Sequence, residues 1–217
     1  MAPPILALDV GTTKIAAVIG RREAAGATQV LGYGCVAADG LNRGVVVDID
    51  RTVNCISQAV RASEQMAGVR VRSAVVGITG AHISSLNSKA QVAITRADGQ
   101  ITREDAERAE TNATTINLPP EFEIINAIPR GFVVDGQPGV SNPVGLYGRK
   151  LEVETHIVVG LRNCARNLEK CVQSAGLEVM HTLVEPVATA AAVLSPDEKN
   201  LGVVLVDVGG GTTDVAL

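Results

Sequence analysis

Two short segments of the 217-residue chain combine residue types suited to holding a phosphate chain. One is Ala7-Leu-Asp-Val-Gly-Thr-Thr-Lys14 and the other Val206-Asp-Val-Gly-Gly-Gly-Thr-Thr-Asp214. Each is an apolar run ending in aspartate, then a glycine-containing turn with two threonines, then a returning run. Glycine lets backbone N–H groups approach an anion closely and permits positive φ at little cost. Gly11, Gly209, Gly210 and Gly211 offer that freedom, Thr12, Thr13, Thr212 and Thr213 add hydroxyl donors, and Lys14 stands beside the first set. An aspartate next to each turn would repel a bare phosphate, so its presence argues for a divalent cation. Mg²⁺ keeps a mostly hydrated octahedral shell bridged to phosphates and carboxylates. Asp9 and Asp207 are therefore the candidate magnesium holders, mainly through water. One such turn is ordinary hairpin chemistry. Two copies, each after a buried strand, favour the phosphate reading.

The elements that must position these turns follow from periodicity. Ile5-Leu-Ala-Leu-Asp9 and Ile15-Ala-Ala-Val-Ile19 flank the first turn as a β-hairpin, and a third strand is expected over 29–37. Asp50 is the expected cap of a helix whose apolar positions Val53, Ile56, Val60 and Met66 recur at helical spacing, ended by Gly68. Ser73–Ile78 reads as a buried strand. Three meandering strands, a helix and a further strand suit a mixed sheet with helices packed on it. From Ser84 the texture changes: a strand over 91–94, a charged helix over 102–114 opened by the capping-box-like Thr102-Arg-Glu-Asp105, and strands over 123–134 and 151–159. An extended surface loop joins the last two from Asp135 onward. Asn163 is the expected cap of a helix burying Ala165, Leu168, Cys171, Val172 and Ala175 and ended by Gly176. A strand over 178–184 then leads into Glu185-Pro186, a helix over 187–194 that Ser195-Pro196 stops, and a last strand over 203–207.

Composition excludes several classes. With 19 basic and 23 acidic side chains the formal net charge is −4, which gives no cationic field for nucleic acid. Four aromatics (Tyr33, Phe122, Phe132, Tyr147) and no Trp offer no stacking platform for single strands. At 46% hydrophobic and 19% charged residues the chain is not a disordered one. No apolar run approaches the roughly 18 residues that span a bilayer, and the first residues lack the features of a secretion signal. A soluble cytoplasmic protein is expected. Cys35, Cys55, Cys164 and Cys171 form no CxxC pair and have no histidine at ligand spacing, so reduced and mostly buried thiols are expected. His82, His156 and His181 have no nucleophile or partner base and read as structural.

The two turns resemble the phosphate loops of the actin, hexokinase and heat-shock-chaperone ATPase superfamily. Glu185-Pro-Val-Ala-Thr-Ala190 resembles the connecting helix between its lobes. The resemblance implies catalytic roles for Glu185, as general base or water orienter, and for Asp207. The alternative for Glu185 is a plain helix N-terminal carboxylate favoured by the dipole. Within the superfamily, Gly44-Val-Val-Val-Asp48, Gly80-Ala-His-Ile-Ser84, Ile101-Thr-Arg-Glu-Asp105, Ile128-Pro129 and Asn142-Pro-Val-Gly-Leu146 resemble the bacterial cell-division family FtsA, from Ile5 to Leu217.

That resemblance implies an α/β fold: an actin-like (ribonuclease H-like) first lobe, an inserted α+β subdomain (strand-helix-strand-strand) and the start of a second actin-like lobe. Subdomain 1A would be 1–83 and 161–196, the inserted subdomain 1C would be 84–160, and 197–217 the first hairpin of 2A. The implied cofactors are ATP and Mg²⁺, with at most a slow Mg-dependent ATPase activity. The implied partners are FtsZ through a region beyond Leu217, further copies in filaments, and later division proteins through the inserted subdomain. A C-terminal membrane helix beyond Leu217 would hold the protein at the cytoplasmic face of the inner membrane at the division site. Because only the start of the second lobe is present, an N-terminal portion is expected, with weak nucleotide binding and a last apolar strand prone to association. A pilus-assembly scaffold of the PilM type, a sugar kinase and a heat-shock chaperone are the alternatives, in falling order.

Overall fold

The computed structural model describes residues 2–24 and 26–217. In chain order the elements are β1 (Ile5–Val10), β2 (Lys14–Arg22), β3 (Thr28–Ala37), β4 (Leu41–Asn42), β5 (Val45–Val46), α1 (Ile49–Ala67), β6 (Ser73–Ile78), β7 (Ser84–Ala93) and α2 (Arg103–Thr114). There follow β8 (Phe122–Val134), β9 (Gln137–Val140), β10 (Lys150–Leu161), α3 (Arg162–Ser174), β11 (Glu178–Val184), α4 (Glu185–Val193), α5 (Pro196–Leu201), β12 (Leu205–Val208) and β13 (Thr213–Ala216). They divide into two compact units, Ser84–Gly160 and the remainder.

The first unit is built on a five-stranded sheet of order β11-β6-β1-β2-β3. β1, β6 and β11 run parallel, β2 is antiparallel to β1, and β3 is antiparallel to β2. Strand alternation sends Leu6, Leu8 and Val10 of β1, Ile15, Ala17 and Ile19 of β2, and Ala74, Val76 and Ile78 of β6 into the core. Asp9, out of phase with that set, falls on the other face. α1 packs on β2 and β3, and α3 on α1 and β11. The close fit of α1 rests on two glycines of β3. A Cβ on Gly32 would lie 2.1 Å from the Ser63 carbonyl oxygen, and one on Gly34 2.1 Å from that of Ala59.

Asp48, not Asp50, caps α1: its Oδ1 accepts the Arg51 amide at 3.1 Å, so the helix starts one residue before Asp50. Gly68 closes it in the left-handed region at φ 66°. The inward stripe is Thr52, Cys55, Ile56, Ala59, Val60 and Ser63, and Met66 is 65% exposed. The small residues win that face because α1 lies on bare strand backbone. α3 begins at Arg162 with no side-chain cap, and Asn163 Oδ1 accepts the neighbouring Cys164 amide instead. Ser195 does not only stop α4; it opens α5 with a full capping box to Glu198. The last strand is shifted to 205–208 and pairs with β13.

In the second unit the sheet order is β7-β10-β8-β9, with β7 and β10 antiparallel from Ser84↔Val159 to Ala93↔Lys150. α2, capped by the Thr102–Asp105 box, packs on β7 and buries Ala106, Ala109 and Ala113 with Val92, Ile101, Phe132 and Leu151. The expected surface loop contains the short strand β9. It forms because Asp135, at φ 47°, turns the chain tightly while its carboxylate accepts the Arg149 and Lys150 amides at 3.0 and 2.8 Å. No helix among the described residues is long and apolar enough to cross a membrane.

Gly34→Ala should destabilise the chain by about 1–3 kcal/mol or more, since α1 must retreat from β3 as a rigid body. Urea unfolding should show a lower midpoint with an unchanged slope. An unchanged midpoint would mean that α1 does not bear on the strand backbone.

Candidate functional site

The two glycine turns meet within the first unit. β1 and β2 join through 11–13, and β12 and β13 through 209–212. Both turns close with the same bond, the amide of the leading glycine donating to the carbonyl three residues on: Gly11 to Lys14 at 3.0 Å, Gly209 to Thr212 at 2.9 Å. None of these turn glycines adopts positive φ. Their lack of a side chain serves close approach instead. A Cβ on Gly210 would sit 2.1 Å from Thr13 Cγ2, and one on Gly211 2.7 Å from Thr12 Oγ1. The threonines of the first turn therefore lie directly on the backbone of the second.

Hydroxyl groups tie the surroundings to the turns. Thr12 Oγ1 accepts the Gly44 amide at 3.0 Å. Thr79, just past β6, donates to Asp214 Oδ2 at 2.6 Å and lies 3.5 Å from Thr212 Oγ1. Thr189 of α4 donates to Asp207 Oδ2 at 2.8 Å. Thr213 is different: β13 alternates, so it points away from the face that carries Asp214 and is exposed. Asp207 and Asp214 are direct cross-strand partners, an arrangement that like charges disfavour.

Glu185 heads α4 where β11 ends, with Pro186 in the first turn. Its side chain lies over Gly77, whose added Cβ would meet Glu185 Cγ at 3.4 Å. Oε1 is buried and makes no hydrogen bond. Burial first, then the charges of Asp9, Asp214 and Asp207, push the Glu185 carboxyl up to about 7, against a small opposing pull from Lys14. Burial also raises Asp9, with Asp207 adding to the shift and Lys14 lowering it. So Asp9, Lys14, Glu185 and Asp207 share one electrostatic neighbourhood. Asp214 belongs to it as well, and the motif itself, with an acid at both ends of the glycine turn, carried that signal. Thr79 and Thr189 had no sequence signal, since only the tertiary fold brings them to the turn. Among the described residues no three His, Cys, Asp or Glu side chains gather closely enough to ligate a metal directly.

Away from the site, Cys55 and Cys171 are buried but Cys35 is exposed, because β3 turns its odd-numbered positions from α1. His156 Nδ1 pairs with Asn87 Oδ1 at 2.8 Å, and burial lowers the pKa of His82.

The fold defines the class: an actin-like fold with an inserted subdomain. A solved PilM-PilN type IV pilus biogenesis complex shares that fold with a TM-score of 0.61 at 15% identity, over 97% of this chain and 56% of that one. Residues 80–159 match the family model described as the SHS2 domain inserted in FTSA. The cell division protein FtsA of Pseudomonas aeruginosa is 44% identical over 98% of this chain and 51% of its own length. That of Bacillus subtilis is 36% identical over 98% and 48%. Over nearly its whole length the chain is similar to the FtsA family of cell-division proteins. It spans about half the length of the curated relatives it matches.

Because the folded state holds the Glu185 proton more tightly than the unfolded chain does, that carboxyl favours folding below the ordinary carboxylate range. The contribution is lost as pH rises through about 7. Glu185→Gln should therefore be more stable than the parent at pH 8, by about 1–2 kcal/mol after allowing for partial exposure, and no more stable near pH 4. Urea unfolding in chelator across this range checks it. A difference that does not vary with pH would remove the electrostatic account.

Proposed function

We propose that the two turns bind the phosphates of MgATP and that the protein acts as an FtsA-type division protein. The single observation that carries the reading is the meeting of two matching glycine-threonine turns amid four carboxylates and one lysine. The residues fit the group. Carboxylates gathered with so little compensating charge favour a cation, and the buried Glu185 Oε1 has polar capacity to spare. Asp9 and Asp207 would hold hydrated Mg²⁺. The Gly11, Gly209, Gly210 and Gly211 amides with Lys14 and the hydroxyls of Thr12, Thr13 and Thr212 would receive the phosphates, while Thr213, turned to the other face of β13, would not. Bound magnesium supplies charge neutralisation to the phosphates. Since Thr12 and Thr13 rest on Gly211 and Gly210, a phosphate enters between the turns only as they part or the threonines swing aside. Glu185, raised toward neutral pH, would orient water for at most slow hydrolysis, with Asp207 beside it.

In this reading residues 1–83 and 161–196 form subdomain 1A, 84–160 form 1C and 197–217 begin 2A. The whole protein would polymerise, anchor FtsZ at the cytoplasmic face of the membrane through segments outside this chain, and recruit later division proteins through 1C.

Calorimetric titration of MgATP into this chain, and into the product of its complete reading frame, tests the site. We expect the complete product to bind, Asp207→Ala to lose at least tenfold in affinity, and the 217-residue chain to bind more weakly. Absence of binding by the complete product, or equal binding by Asp207→Ala, would reduce the turns to structural hairpins.

A further inference from the structure

The glycine-rich hairpin carries two carboxylates directly opposite each other, Asp207 on β12 and Asp214 on β13. Like charges in that position push apart. Each is met by a threonine hydroxyl from a different element of the first unit. Thr79, 4% exposed, donates to Asp214 Oδ2 at 2.6 Å, and Thr189 donates to Asp207 Oδ2 at 2.8 Å. A hydroxyl has one proton, so each threonine commits its donor to one carboxylate. Both bonds fall on Oδ2, and neither Oδ1 makes a hydrogen bond among the described residues.

We infer that Thr79 and Thr189 are positioning residues, which hold Asp214 and Asp207 with a free oxygen each toward a hydrated divalent cation. The inference rests on the MgATP reading and goes beyond it, since it adds Asp214 to the cation's surroundings and assigns two residues that touch neither phosphate nor metal. The chemistry favours threonine over a cationic partner. A hydroxyl fixes the direction of a carboxylate while leaving its charge in place, whereas Lys or Arg would neutralise the charge that the cation needs. Thr79 comes from the end of a sheet strand and Thr189 from a helix, so the two bonds also fix the hairpin to two elements at once.

The test compares Thr79→Val and Thr189→Val, which keep shape and remove the proton, with Thr79→Ser and Thr189→Ser, which keep the proton. In the product of the complete reading frame, MgATP binding is titrated at a series of free Mg²⁺ concentrations, and thermal unfolding is followed in chelator without nucleotide. Each valine variant should raise the Mg²⁺ needed for half-maximal binding by roughly tenfold, the loss expected for one hydrogen bond to a charged group. Each serine variant should restore the parent value. A valine variant with lower thermal stability but the parent Mg²⁺ dependence would make the threonine a structural latch and overturn the inference, as would serine variants that fail like valine. If a valine variant loses its cooperative unfolding transition, alanine at the same position, read for Mg²⁺ dependence, decides in the same way. A parent that binds no MgATP at any Mg²⁺ concentration overturns the site reading and this inference together. A parent that binds while all variants match it overturns this inference alone.

Discussion

Mutual repulsion among carboxylates is the constraint around which the first unit is arranged. Asp9, Asp207 and Asp214 all bear on Glu185, and Asp207 on Asp9, with Lys14 the opposing charge at both among the described residues. A cluster of this kind persists only if other interactions hold its carriers in place. Here the carriers are strand ends. β1, β6 and β11 run parallel, so their C-terminal ends emerge on one edge of the sheet. Those ends deliver Gly11, Thr79 and Glu185 respectively, which is where ligands bind in sheets of this kind. The core residues Leu6, Leu8, Val76 and Ile78 lock the strands, and the polar edge inherits their rigidity.

The second hairpin is held differently. β12 pairs only with β13, and its outward valines Val206, Val208 and Val215 are exposed, so little apolar burial fastens it to the sheet. Its attachments are α4, two threonine–aspartate hydrogen bonds and the contact of Thr12 and Thr13 with Gly211 and Gly210. Electrostatics push this hairpin away while short-range contacts hold it. An element balanced in this way shifts with modest changes in local charge, whereas one anchored by a buried strand does not.

Much of this was legible in the sequence because it is written locally. The duplicated Asp-Gly-Thr-Thr pattern located both turns, and Glu185-Pro186 located the start of α4. The apolar runs of β1, β2 and β6 marked them as strands, while which alternate residues face inward emerges only in the fold. What escaped is what depends on contact. Asp50 and Asp48 are equally good caps in sequence, and only the path of β5 into α1 selects Asp48. Met66 fits a helical apolar stripe, yet Gly32 and Gly34 bring α1 so near to β3 that small residues take the buried face. Nothing in the sequence ties Thr79 to Asp214, which lie 135 positions apart.

The glycines show most clearly how one residue type serves two physical ends. In Gly68 the missing Cβ permits left-handed backbone at φ 66° and a helix stop. In Gly34, Gly210 and Gly211 the backbone is unremarkable, and what matters is the space that no side chain fills. Both uses read alike in a sequence. The second is the one that shapes the site, because it lets a helix lie on a strand and lets one turn lie on another. The surface at Gly210 and Gly211 is bare peptide, met in this structure by threonine methyl and hydroxyl groups. Bare peptide N–H groups are equally suited to an anion. In the proposed reading the threonines stand where a phosphate would come, and its entry would shift them and the hairpin together.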